Sequence, residues 1–410
     1  MPPTSQVGPP GILHHDLNKH FPELLKFGST AELESSGLWA EIRNEAERIL
    51  DAVVVGQKHE EEHDGAAASY GDHIRALAWN LERGIRYEGI AAALTTDDRL
   101  KKRDVLLLSE LDYGMARSNN RFVAKDLAEE LGMNWTFAPV YIPLQKGSGV
   151  ESEMPGENTA SIHGLAMLSP WPMRNVHAVP IPNGKDKMWG KEKRLGRLRA
   201  LVADIEHPGG TFRAVTIHLD AHCSRAHRAL QMRIILDHLE TLSELPTLLG
   251  GDWNTTGFNS QSSTRAILGY WRRVMMGPRN VAAKHFPHPD RYFERRMFSD
   301  LEQRGFDYKS LNTLGIGTLH YELGDIEKNT NLRDWVPEWC FPFIFWAAGR
   351  VGGKVSTRLD WFAGKGLTLA PSTQPQTIHA LTDRTGKPLS DHDPITVDLS
   401  VSPHVSKGRT

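Results

Sequence analysis

Six short apolar runs in this chain each border a group of Asn, Asp, Glu or His. Ala76–Trp79 runs into Asn80-Leu81-Glu82, and Val105–Ser109 runs into Glu110. Ala214–Ile217 leads to His218-Leu219-Asp220, and Leu248–Gly251 to Asp252-Trp253-Asn254. Val355–Leu359 stops at Asp360-Trp361, and Ser390-Asp391-His392-Asp393-Pro394 precedes the final run Ile395–Leu399. A single carboxylate at a strand end is more often a turn former or helix cap than a catalyst. Six such borders say more, because strand ends on one sheet edge meet in space however distant they are in sequence. An edge carrying several carboxylates, two amides and two imidazoles is costly unless a divalent cation and an anionic ligand compensate it. Hard oxygen donors favour Mg²⁺ or Mn²⁺ over structural zinc.

The runs themselves predict strands over Ile74–Trp79, Val105–Leu108, Leu165–Leu168, Arg199–Ile205, Phe212–Ile217, Thr247–Leu249, Val355–Trp361 and Pro394–Leu399. His207-Pro208-Gly209-Gly210 between two of them predicts a hairpin. Helical spacing places amphipathic helices over Phe122–Leu131 and Ser224–Leu242, the second with Ser224 as cap. Leu38, Ile42, Ala46 and Ile49 predict another, capped by Ser36, in an N-terminal helical extension and linker covering residues 1–72. The polar stretch 57–65 reads as its solvated linker. Strands, hairpins and helices in this mixture suit an α/β fold rather than a regular strand–helix barrel. There is no internal repeat, and Gly250-Gly251 lacks the Lys-Ser/Thr of a nucleotide P-loop.

The 48 Lys and Arg nearly balance the 50 Asp and Glu, which excludes a protein that coats nucleic acid indiscriminately. Phosphate affinity must therefore be local. Cys223 and Cys340 are too few for a disulfide framework or a thiolate zinc site. Met1–Ser5 shows no basic region leading into an apolar core, so no signal peptide is expected and the expectation is a cytoplasmic protein. The most apolar run, 339–348, is interrupted by Pro342 and is too short to span a bilayer.

The chemistry suited to such an edge is in-line attack of water on a phosphoester, with an imidazole oriented by a carboxylate as acid/base and amides positioning the reactants. In order along the chain, Trp79-Asn80, Ser109-Glu110, Thr216–Leu219, Gly251–Asn254, Arg358–Trp361 and Ser390–Pro394 together resemble the endonuclease/exonuclease/phosphatase superfamily over about residues 73–400. The resemblance implies a four-layer αββα sandwich of two mixed β-sheets flanked by helices. It implies Glu110 as principal Mg²⁺ ligand (Mn²⁺ as the alternative), with Asn80 beside it and Asp391 approaching. It implies that Asp252 orients or activates water, Asn254 holds the scissile phosphate, His218 polarises it, and His392 pairs with Asp360 as acid/base. The Glu82 position varies in that superfamily, and Asp220, His222 and Asp393 read as structural.

Arg199 and Arg358 are candidate phosphate donors. The basic stretch 185–199 reads equally as a lip guiding an anionic substrate or as a solvated loop. Between Asp252 and Asp360 the chain is long for the superfamily, implying an insertion within about 256–350, and residues 401–410 read as a tail. Arginines interleaved with aromatics in that insertion suit either a stacked single strand or a membrane surface, but packing against the sandwich is the expected role. The resulting expectation is a Mg²⁺-dependent phosphoester hydrolase of nuclease or phosphodiesterase type, acting on a phosphoester, with nucleic acid a candidate substrate. The alternatives are a phosphomonoesterase, a sphingomyelinase-like lipid phosphodiesterase, and a silent scaffold of the same fold.

Overall fold

A computed structural model describes residues 6–57, 73–257, 259, 261–322, 342, 346, 349–350 and 354–401. Most of the polar stretch 57–65, most of the aromatic run 339–346 and nearly all of the tail lie outside the described residues.

Two mixed sheets form the centre. The larger runs in the order Gln6–Gly8, Ala52–Gly56, Asn134–Pro143, Ile162–Ser169, Val105–Tyr113, Ile74–Arg83, Ile395–Val401 and Leu367–Leu369, with two short strands pairing off this path. The smaller runs Asp360–Lys365, Thr247–Asp252, Phe212–His218, Arg199–Ile205 and Met173–Pro180. Their packing follows from side-chain alternation. Ala76, Ala78, Val105 and Leu107 share one core with Val202, Ala214 and Leu249 of the smaller sheet. Leu77, Trp79, Leu106 and Leu108 point the other way, into a second core with the helices Gly37–Leu50, Tyr87–Thr96 and Val123–Leu131. The helices Arg225–Glu240 and Arg295–Gln303 cover the smaller sheet through Met232, Leu236, Phe298 and Leu301. The layers are helix, sheet, sheet, helix, as expected. At Gly250 the sheets approach so closely that a Cβ would lie 2.5 Å from the Leu107 side chain.

Differences from the sequence reading have local causes. The N-terminal segment is capped at Ser36 as expected, yet it also supplies the strands Gln6–Gly8 and Ala52–Gly56 to the larger sheet. The single strand expected over Val355–Trp361 is broken in two. Lys354–Thr357 pairs with Leu319–Glu322, and the amides of Leu359 and Asp360 turn to Thr318 Oγ1 before Asp360–Lys365 joins the smaller sheet. Asn134–Pro143, buried throughout, is a strand absent from the sequence reading, and it carries Pro139 and Pro143, residues unusual within a sheet.

The segment expected as an insertion, 256–350, is bolted to the sandwich at Glu294 by a buried ion pair. Arg228 donates to Glu294 Oε1 at 2.6 and 3.2 Å, and the Gly257 amide donates to the same oxygen. Removing one partner leaves an uncompensated buried charge. Glu294→Ala is therefore expected to lower stability by about 3–5 kcal/mol in urea unfolding. An unchanged midpoint contradicts this account of the Arg228–Glu294 pair.

Candidate active site

The site forms where strands of both sheets end on the same side. In the smaller sheet, His218 pairs in register with Asp252, and Asp252 with Asp360, so three polar side chains line up across neighbouring strands. Gly251 makes this possible: its φ is +131°, and a Cβ would sit 2.2 Å from the Ile217 carbonyl oxygen. In the larger sheet, Asn80 lies in register with Ser109, and both strands then break register. Glu82, Arg83 and Glu110 all adopt left-handed backbone, with φ of 46°, 67° and 55°. This is a conformation non-glycine residues rarely take. The kink at Glu110 shifts the strand's phase, so that Leu111 joins Leu106 and Leu108 in the helix-side core while Glu110 is freed from that face. Such strain is held only where surrounding structure enforces it, and it concentrates at functional sites.

The loop carrying His392 is tied to the larger sheet. Trp79 Nε1 donates to the His392 carbonyl at 2.9 Å, Ser390 Oγ donates to the Asn80 carbonyl at 2.6 Å, and the His392 amide donates back to Ser390 Oγ. At the centre lies Asp252 Oδ2. Asn80 Nδ2 and Asn254 Nδ2 each donate to it at 3.2 Å, while Nε2 of His218 and of His392 stand 3.7 and 3.8 Å away. Asn254, itself left-handed at φ 50°, also donates to the Leu219 carbonyl. His392 Nδ1 meets Asp360 Oδ2 at 2.8 Å, both residues buried. Beside this group, Glu82, Glu110 and Asp391 act on one another electrostatically, and His218 Nε2 lies 3.9 Å from Glu110 Oε1.

The electrostatics divide these groups. Burial opposes charge on His392, but the carboxylates of Asp360 and Asp252 and the hydrogen bond to Asp360 outweigh it and hold the ring well above the ordinary imidazole value. Burial pushes Asp252 up to about 6, with the neighbouring Asp360 charge adding to it. Burial and then the charge of Asp391 push Glu82 up to about 7, and burial likewise raises Asp391. Burial works the same way on Glu110, but Arg83, His218, His163 and His392 overcome it and keep the carboxylate ionised. Crowded carboxylates that resist ionisation, beside an amide and with no thiolate, are a donor set fitting a hard divalent cation.

The structure thus brings together Asn80, Glu110, His218, Asp252, Asn254, Asp360, Asp391 and His392. It does not bring in the two arginines. Arg199 is buried and spends its guanidinium on the carbonyls of Leu50, Asp51, Ala52 and Pro139. Arg358 is buried over Trp361 and donates to Thr313, Ile316 and Asn312. Both expectations as phosphate donors are corrected: Arg199 ties the helix end at Leu50 to the larger sheet, and Arg358 ties the 312–316 loop to the smaller one. The basic stretch 185–199, open to reading as a lip or as a solvated loop, is largely engaged. Lys187 pairs with Asp220, Lys193 donates to the carbonyls of Leu25 and Phe27, Arg194 pairs with Glu192, and Arg197 meets Asp51.

Behind Glu110 stands a buried network that sequence reading missed. Arg117 makes two bonds to Asp112 and reaches Glu151 and Glu192, His163 Nδ1 meets Asp112 at 2.8 Å, and Glu151 also pairs with Arg83. Its one sequence trace is Asp112, two positions after Glu110. Burial would raise Asp112 and Glu192, but the arginines around them hold both at about 2, against ordinary values of 3.8 and 4.5. A depressed carboxylate contributes stability that is complete above its unfolded value and is lost as pH falls through its folded one. Stability is expected to drop between about pH 4.5 and 2, by roughly 2–3 kcal/mol for each group. Urea midpoints that stay level from pH 5 to 2.5 contradict this.

The match to the Endonuclease/Exonuclease/phosphatase family extends over residues 77–392, well over half of the chain and every residue just described except those before Leu77. The chain belongs to this family. Members of the endonuclease/exonuclease/phosphatase family are generally hydrolytic nucleases and phosphatases that use a divalent metal. No curated protein matches the chain significantly. Among solved structures, a family member from Beutenbergia cavernae is 17% identical with a TM-score of 0.48, over 80% of this chain and 72% of that one. The catalytic domain of human Nocturnin with bound sulfate is 15% identical at 0.42, over 80% and 94%. A 3'-5' exonuclease from Neisseria meningitidis is 14% identical at 0.44, over 80% and 99%. Among the described residues, no helix is long and apolar enough to cross a membrane.

Proposed function

We propose that this chain is a divalent-metal-dependent phosphodiesterase of nuclease type. The observation that carries the proposal is the meeting, at one edge, of a carboxylate-held imidazole and an all-oxygen donor cluster. Glu110, Asp391 and Asn80 would hold the metal, with Glu82 beside them. A bound Mg²⁺ or Mn²⁺ supplies charge that polarises a phosphoryl oxygen and offsets the leaving oxygen. Asp252, raised toward neutrality by burial, orients the attacking water and takes its proton as the new P–O bond forms. His392, fixed by Asp360 and held protonated, gives its Nε2 proton to the leaving oxygen as the old P–O bond breaks. His218 and Asn254 hold the phosphate oxygens, as the resemblance implied, without help from Arg199 or Arg358.

The test is turnover of bis(p-nitrophenyl) phosphate, p-nitrophenyl phosphate, DNA, RNA and sphingomyelin, with Mg²⁺ or Mn²⁺ and with EDTA. Diester or nucleic-acid hydrolysis that EDTA abolishes and Mg²⁺ restores is the expected result. No turnover of any substrate, or turnover indifferent to EDTA, contradicts the proposal.

A further inference from the structure

A second constellation lies at the rim of this site and takes no part in the chemistry above. His320 Nε2 and His379 Nδ1 both approach the same oxygen, Asp393 Oδ2, each at 2.6 Å. The two rings stand 5.3 Å apart, and all three donor atoms fall within 4.8 Å of one another. Main-chain pairing puts them there. The Asp393 amide donates to the Thr318 carbonyl, and Leu319 bridges His392, which sets His320 on one side. On the other side Gln376–Thr377 pairs with Ile395-Thr396 and the Ile378 amide donates to Pro394, which sets His379. Three adjacent segments therefore present their donors whether or not the side chains attract one another.

That attraction is a weak reason for the arrangement. The imidazoles are 43% and 46% exposed, and ion pairs at such exposure contribute about 0–1 kcal/mol. The geometry points to a binding site for a divalent transition ion of the Zn²⁺ class, held by His320 Nε2, His379 Nδ1 and Asp393 Oδ2. Two imidazole nitrogens and one carboxylate oxygen suit Zn²⁺, Co²⁺ or Ni²⁺ rather than Mg²⁺, unlike the oxygen-only cluster at Glu110. Donors about 2.1 Å from a tetrahedral ion are roughly 3.4 Å apart, so the present contacts need to open by less than an ångström. Half-exposed rings have room to do so, and the remaining coordination position is left for water or an anionic ligand. Asp393 follows His392 directly in the chain, so an ion there is held by the same loop that carries the acid/base imidazole.

The test uses the full chain, stripped with chelator and titrated with Co²⁺, whose visible absorption reports nitrogen–oxygen coordination without reference to activity. A band is expected in the wild type and in Glu110→Gln. It is expected to weaken by more than about tenfold in apparent affinity in His320→Ala and, separately, in His379→Gln. Thermal melting of both variants shows that they are folded, and Zn²⁺ is expected to displace the Co²⁺ band. No band in the wild type, a band unchanged in both folded histidine variants, or a band lost in Glu110→Gln overturns the inference. Because the readout is spectral, its failure is separable from a failure to hydrolyse phosphoesters.

Discussion

Glu110→Gln is expected to lower metal-dependent hydrolysis by roughly 10³-fold, because a metal ion contributes several kcal/mol of transition-state stabilisation and each 1.4 kcal/mol or so is tenfold in rate. The amide keeps the shape of the side chain and removes the charge that the cluster needs. Arg83, which helps hold Glu110 ionised, keeps its 3.0 Å contact with Glu151, so the fold should survive the change. The expected signature is a Mg²⁺ saturation curve displaced to higher concentration together with a lowered plateau. A variant that saturates with Mg²⁺ like the wild type removes Glu110 from the metal site.

His392→Ala is expected to cost about 10²–10⁴-fold in kcat, the usual contribution of a positioned acid/base group. Asp360→Asn provides the more informative companion. In the wild type the charges of Asp360 and Asp252 hold His392 protonated well above the ordinary range, so activity should persist on the alkaline side. The acid form is the active one, and activity falls as pH rises through the folded value. Removing the Asp360 charge lowers that value, so the alkaline limb should move to lower pH in Asp360→Asn. A limb that stays in place, or moves upward, contradicts the assignment of His392 as the proton donor.

The sequence was most readable where backbone and chemistry coincide. At Ile217-His218 and Gly251-Asp252 the strand ends on its functional side chain, whereas Asn80 and Glu110 sit within strands that run on to Arg83 and Tyr113. The supporting motif residues were legible for the same reason: Trp79 and Ser390 appear within the runs that matter, and their bonds tie the His392 loop to the sheet. What stayed hidden depends on distance and direction. Arg117, His163 and Glu192 belong to different segments: Asp112 pairs in register with His163, and Glu192 arrives through the pairing of Arg194 with Pro143. No local pattern marks them. Arg199 and Arg358 carried the charge expected of phosphate donors, but charge does not say where a side chain points. Main-chain carbonyls claim both guanidiniums, at burial that lowers each to about 10. His320 and His379 are likewise unremarkable in sequence, because only the pairing on either side of Asp393 brings them together.

The most direct measurement is the anomalous difference density of Mn²⁺ in crystals of the wild type and of Glu110→Gln. A peak about 2.1 Å from the Glu110 carboxylate, with Asp391 and Asn80 around it, and its disappearance in the variant are the predicted result. Density that never forms at Glu110, or that remains there unchanged without its charge, would contradict the metal-assisted site on which the proposed hydrolysis depends.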